Sequence, residues 1–194
     1  TGEYCNNDPD MGRWPAISKK LGIELKPWKS RGNDILICCQ RDGGWSMDNQ
    51  PLMQWLVKTI QQIRKFSDRK IIIRLHPGDK GLLKHKRMIA RYRLPNVVVS
   101  HNHDIREDFN NSYAVISYNS SPGVAAAIEG IPVFVLDPIR SQAANVSHHD
   151  LSQLENIKEF DRSQWIHKMA QMHWTLDELK DGTAWKHLRK WAIK

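Results

Sequence analysis

Five short apolar runs, spaced along the middle of the chain and separated by polar turns and helix-like patterns, constrain this sequence more than any other feature. They are residues 35–39, 70–75, 97–99, 113–117 and 133–136. Runs this short and this apolar suit strands buried on both faces. Between the first two, Leu52, Trp55, Leu56, Thr59, Ile60 and Ile63 recur at i, i+3, i+4 and i+7, the spacing of an amphipathic helix. A helix is expected over 79–92 with Leu82, Leu83, Ile89 and Ala90 inward, and a short one over 104–111. Ser120-Ser121-Pro122-Gly123 opens another, which Gly130-Ile131-Pro132 ends. Strand and helix alternating in this way predict an α/β fold. The expectation is a single Rossmann-like open parallel sheet of about five strands with helices on both faces.

Three segments follow. Residues 1–34 read as an irregular N-terminal arm or linker, with turn residues at 6–10, one helical turn at 18–21, and Trp14 and Trp28 as anchors. Residues 35–150 form the Rossmann-like domain and 151–194 a C-terminal helical tail. In the tail, Asp161 or Ser163 can cap one helix, and Thr175 with Glu178 has capping-box spacing. Asp48 or Asn49 can cap the helix that starts near Pro51.

The 194 residues suffice for a core without disulfides. No apolar run approaches a membrane span, and the first residues lack the basic and apolar regions of a signal peptide. Cys5, Cys38 and Cys39 are odd in number and form no C-x-x-C pair, so reduced thiols and a cytoplasmic location are expected. The net charge of +8 is local. Between Arg69 and Arg93 nine basic residues face one acidic residue, Asp79. Lys80, Lys84, Arg87 and Arg91 line one helical stripe suited to a polyanion, or to plain solvation.

Ligands of open parallel sheets bind outside the carboxyl ends of the strands. The first strand ends in Gln40-Arg41-Asp42-Gly43-Gly44, the second in Arg74-Leu75-His76-Pro77-Gly78, the fourth in Tyr118-Asn119-Ser120-Ser121-Pro122-Gly123. Ser121 as N-cap, Pro122 at N1 and Gly123 make a helix start that could bind an anion or simply be capped. His76 can donate to a phosphate, with Arg74 adding charge; a structural histidine looks the same. Asp42 suits a general base or a turn. His101, His103 and Asp104, and His148, His149 and Asp150, match no common metal spacing, so no metal site is expected. G-x-S-x-G, Walker A and G-x-G-x-x-G patterns are absent.

Gln40, His76-Pro77, Ser120-Ser121 and Gly130-Ile131-Pro132-Val133 together resemble the C-terminal nucleotide-sugar-binding domain of GT-B glycosyltransferases. Capsule Kdo transferases and bacterial sialyltransferases are the nearest likeness, and the segment from Trp174 to Trp185 resembles helices in glycosyltransferase-like proteins of bacteria and phages. The resemblance covers roughly residues 35–185. It implies a nucleotide-sugar donor as substrate and no cofactor. Donor phosphates would meet Arg74, His76, Ser120, Ser121 and Gly123; the nucleoside would meet Gln40 and Glu129; Asp42 would be catalytic. Counting back from Gly130, the family's ribose-binding Glu falls at Ala125, one helical turn before Glu129.

The expected function is transfer of a sugar to a glycan or to a modified DNA base, in a bacterium or a virus-infected cell. GT-B enzymes have two such domains, so an N-terminal domain or partner chain is also expected. The alternative is a non-catalytic nucleic-acid-binding module on a Rossmann-like scaffold. A third reading has Trp174, Trp185 and Trp191 burying the tail against another chain.

Overall fold

The first apolar run becomes the middle of a sheet because nothing in it tolerates water. In the computed structural model, which describes residues 9–29 and 32–192 (side chains to 190), β1 (Asp34–Cys38) is buried at every position. It pairs in parallel with β2 (Ile71–Arg74) and β4 (Ser112–Ser117). β3 (Val97–Val99) adds to β2 and β5 (Val133–Val135) to β4, giving the order β3-β2-β1-β4-β5. Ile35, Leu36 and Ile37 face Ile71, Ile72 and Ile73 on one side and Ala114, Val115 and Ile116 on the other. The expected five-stranded parallel Rossmann-like sheet is present.

Alternate residues of β1 serve different layers. Ile35, Ile37 and Cys39 join a core with Leu52, Trp55, Leu56, Ile60 and Ile63 of α2 (Leu52–Ile63) and Ile89 of α3 (Leu82–Tyr92). On the other face α5 (Pro122–Ile128) packs so closely that a Cβ on Gly123 would come 3.2 Å from Ser117 Oγ and 3.3 Å from Val133 Cγ1. α4 (Ile105–Phe109) is capped by Asp104, which accepts from Arg106 N–H.

Three local expectations change. The inner face of α3 is Leu82, His85 and Ile89; Leu83 is 69% exposed and Ala90 also points outward. The α2 start is bound by neither Asp48 nor Asn49. Those residues take left-handed conformations in the turn, and Asp42 Oδ1 accepts from Leu52 N–H at 2.7 Å. The arm is helical over α1 (Arg13–Leu21), longer than one turn. Pro15 sits in the first turn of α1, where its missing N–H has no intrahelical partner to lose.

Two compact units divide the chain: Lys26–Phe160, which holds the sheet, and Thr1–Leu25 with Asp161–Lys194. The arm and tail therefore share a unit, and its boundaries differ from those at 34 and 151. In that unit α1 packs on α6 (Ser163–Met172). The buried Arg13 donates to Ala170 O at 2.7 Å and binds Glu178 of α7 (Leu176–Lys180). Thr175 and Glu178 form the expected capping box, and α8 (Thr183–Ala192) follows Gly182. Arg13 also lies 3.9 Å from the centre of the Trp174 ring, and Trp185 is exposed. The turn expected at 6–8, Cys5 and the Trp191 side chain lie outside the described residues. Trp28 belongs to the sheet unit, where its indole N–H donates to Phe160 O. Among the described residues no helix is long and apolar enough to cross a membrane.

Candidate functional site

Strand order reverses between β1 and β4, and the crevice at their carboxyl ends is where an open α/β sheet receives ligands. Gln40 follows β1 and is 8% exposed. Its Nε2 donates to Asn119 Oδ1 at 2.8 Å. Asn119 is oriented in turn, because its Nδ2 donates to Asp137 Oδ2 at 2.7 Å and Ser46 O at 2.8 Å. The chain of donors fixes both amides, so Gln40 Oε1 is the atom left over. It is buried without a hydrogen-bond partner, as are Ser117 Oγ and Ser120 Oγ. Buried polar groups are nearly always paired; Ser117 Oγ packs under α5 against Gly123, while Gln40 Oε1 and Ser120 Oγ are candidate contacts at the crevice.

The loops around these residues are tied together. Arg140, after β5, donates to Asp137 Oδ2 and Asp48 Oδ2, both at 2.6 Å, and to Trp45 O. The two carboxylates hold its guanidinium firmly protonated. Tyr118 also donates to Asp48 Oδ2. Loops after β1, β4 and β5 are thus cross-braced before any ligand arrives. Trp45 and Ile139, 91% and 94% exposed, project from two of them.

His76 lies on the β2 side of the crevice. Its Nδ1 accepts from Gly78 N–H at 2.9 Å, which puts the ring proton on Nε2. Burial and the positive charge of Arg41 lower its pKa and favour this neutral form. The Arg41 guanidinium lies against Gly78, where a Cβ would come 3.1 Å from Nη2. Neither Arg41 nor His76 Nε2 has a hydrogen-bond or ion-pair partner among the described residues. A cation and a neutral N–H donor here can meet an anion.

Asp42 belongs to a second device. While Oδ1 caps α2, Oδ2 lies 3.4 Å from His85 Nε2, and His85 Nδ1 lies 2.6 Å from Asp79 Oδ2. Burial opposes the Asp79 charge, but bonds from His85 and Gly81 N–H outweigh it and lower its pKa. A Cβ on Gly81 would come 2.6 Å from His85 Cε1, so only glycine admits the ring.

The remaining expected site residues separate. Arg74 is held by structure: it pairs with Asp108 at 2.6 Å and donates to Asn102 O and His103 O. Ser121 occupies the N-cap position of α5 with an exposed side chain and no side-chain cap bond. Gly123 packs against Ser117 and Val133, where a Cβ would be tight. Glu129 lies at the opposite end of α5 from the crevice and pairs with Lys26 at 2.5 Å. Lys80, Lys84, Arg87 and Arg91 are exposed on α3 and its approach. Gln40, His76 and Ser120 remain at the crevice, with Asp42 beside it.

Sequence reasoning passed over Arg41, Asp79, His85, Asn119, Asp137 and Arg140. His85 was recoverable, because it lies three residues after Leu82 and four before Ile89, on the inward line of α3. Among the histidines weighed for metal, His148 stacks on Phe134 with centroids 4.8 Å apart and bonds Gln153 and Lys158 O. The thiols of Cys38 and Cys39 are free and buried; burial pushes Cys38 up to about 12 and Cys39 up as well.

No protein-family profile and no curated protein matches the chain. Solved structures do. The chain is similar to KpsC of Thermosulfurimonas dismutans, a beta Kdo 2,4 transferase, with a TM-score of 0.51 and 14% identity. The match covers 82% of this chain and 53% of that one. The fold is one Rossmann-like half of the GT-B type. It is also similar to Methanocaldococcus jannaschii UDP-GlcNAc 2-epimerase, in complex with UDP-GlcNAc and UDP, at a TM-score of 0.47, 12% identity and 82% and 47% coverage. For a variant of the wall teichoic acid polymerase TagF the values are 0.42, 13%, 95% and 48%. This GT-B half thus spans about half the length of the structures it matches.

Proposed function

We propose that the chain is the donor-binding half of a nucleotide-sugar-dependent glycosyltransferase. The observation that carries this reading is the pair of unpartnered polar atoms, Gln40 Oε1 and Ser120 Oγ, at the strand-order reversal. Gln40 Oε1 accepts from the nucleoside. Ser120, Ser121, His76 Nε2–H and Arg41 surround the phosphates. As the glycosidic bond breaks, the electron pair leaves with the nucleoside phosphate, and these fixed donors stabilise its growing charge. The acceptor oxygen bonds to the anomeric carbon and gives its proton to Asp42 Oδ2. Leu52 N–H holds the other carboxylate oxygen, which orients the base. Neither Arg74 nor Glu129 contributes, because each is committed elsewhere. A second Rossmann-like half, in the same polypeptide or a partner chain, closes over the donor.

Isothermal titration with UDP-, CMP- and GDP-sugars tests the reading. One of the three classes is expected to bind and to bind more weakly to His76→Ala and Ser120→Ala; silence from all three overturns it. A non-catalytic nucleic-acid-binding module would instead bind oligonucleotides equally well in both variants.

A further inference from the structure

The nine basic residues between Arg69 and Arg93 do not share one fate. Arg69 is paired with Glu155 at 3.0 Å and Arg74 with Asp108 at 2.6 Å. The one acid of the stretch, Asp79, is buried on His85. What remains unpaired among the described residues is concentrated on α3. Lys84, Arg87 and Arg91 are exposed along one side of that helix, and no acidic residue occurs anywhere in it. Like charges at i, i+3 and i+7 repel and weaken a helix. Packing of Leu82, His85 and Ile89 carries that cost in the free chain, and an anion on the stripe would relieve it.

The direction of the stripe is set by topology. α3 follows β2 through the turn that carries His76, so Lys80 and the start of α3 lie at the carboxyl edge and Arg91 toward the opposite edge. With a rise of about 1.5 Å per residue, Lys84 and Arg91 are roughly 10 Å apart, with Arg87 between. A chain-like polyanion lying on these charges brings one end to the crevice.

We propose that α3 docks an anionic glycan, whose end supplies the acceptor hydroxyl; this rests on the donor reading above. Single-stranded nucleic acid is recognised on aromatic platforms interleaved with cations. The α3 stripe has none between its cations: the His85 ring is buried on the inner face, and Tyr92 follows the last of them. Leu83, 69% exposed beside Lys84, offers an apolar contact for a sugar ring instead.

Fluorescence anisotropy with an end-labelled length series of oligogalacturonates tests the proposal, with oligonucleotides of matched charge and neutral dextran alongside. Affinity for the oligogalacturonate rises with length until the stripe is spanned. It falls as salt rises from about 50 to 200 mM, because the contacts are charge contacts at an exposed surface. Lys84→Glu combined with Arg87→Glu lowers it at least about tenfold, while its far-UV circular dichroism and melting match the parent chain. Absent binding, equal binding by the folded double variant, or tighter oligonucleotide than oligogalacturonate binding overturns the proposal. Nucleotide-sugar titration of the parent chain, run separately, shows whether a failure belongs to the donor site or to α3.

Discussion

Two polar clusters close the carboxyl edge of the sheet, and they are built to opposite standards. Beyond β2 and β3, Asp108 accepts from Arg74, Ser100 and Asn102, and Arg74 also reaches two carbonyls. The Asp108 side chain is 1% exposed, and its charge is fully engaged. Beyond β1 and β4, a similar set of small polar residues leaves Gln40 Oε1, Ser117 Oγ and Ser120 Oγ buried and unpaired. A satisfied cluster holds the fold together. A cluster with fixed orphans holds stability in reserve for a ligand. The contrast separates Arg74, which is committed to Asp108 and two carbonyls, from Ser120, whose hydroxyl has no partner.

Breaking the satisfied cluster has the largest effect. Asp108→Ala leaves the Arg74 guanidinium, 14% exposed, without its partner, and should cost about 3–5 kcal/mol in urea unfolding. Donor affinity of the folded fraction should change little. Asn119→Ala comes next. It unpairs Gln40 Nε2 and leaves Asp137 with Arg140 alone, and should cost roughly 1–3 kcal/mol, with faster amide exchange in the three braced loops. Ser120→Ala sharpens the comparison from the other side. Removing a buried hydroxyl that bonds nothing should shift stability by no more than about 0.5 kcal/mol, yet lower donor affinity about tenfold.

The smallest effect is on pH dependence. Burial and Arg41 lower the His76 pKa below its ordinary 6.5. Its contribution to stability is therefore complete above that value. It is lost as pH falls through the depressed folded value, where protonation breaks the bond from Gly78 N–H. His76→Gln keeps an acceptor there and should flatten the fall in unfolding midpoint on the acid side of 6.5. An unchanged slope would remove His76 from the account.

The sheet was legible because each strand is an unbroken apolar run and each run is too short for a buried helix. The capping box of Thr175 and Glu178 was legible because it is local. What escaped were features made by distant residues. Asp42 caps a helix ten residues away by folding back over Gly43 and Gly44, and Arg140 and Asn119 together join three loops that no spacing rule connects. Ser121 and Glu129 begin and end one short helix, so their nearness in sequence hid their placement at opposite edges of the sheet. The α1 helix was obscured by Pro15, which a first turn accepts but a helix interior does not.

The central claim is that the β1–β4 crevice, and not the β2–β3 cluster, receives the nucleotide-sugar. Amide hydrogen exchange with and without saturating UDP-, CMP- or GDP-sugar tests it directly, because both clusters report in one experiment. The account predicts added protection at residues 40–44, 76–78 and 117–123, and none at 100–108. Protection confined to 100–108, or no change with any of the donors, would contradict it.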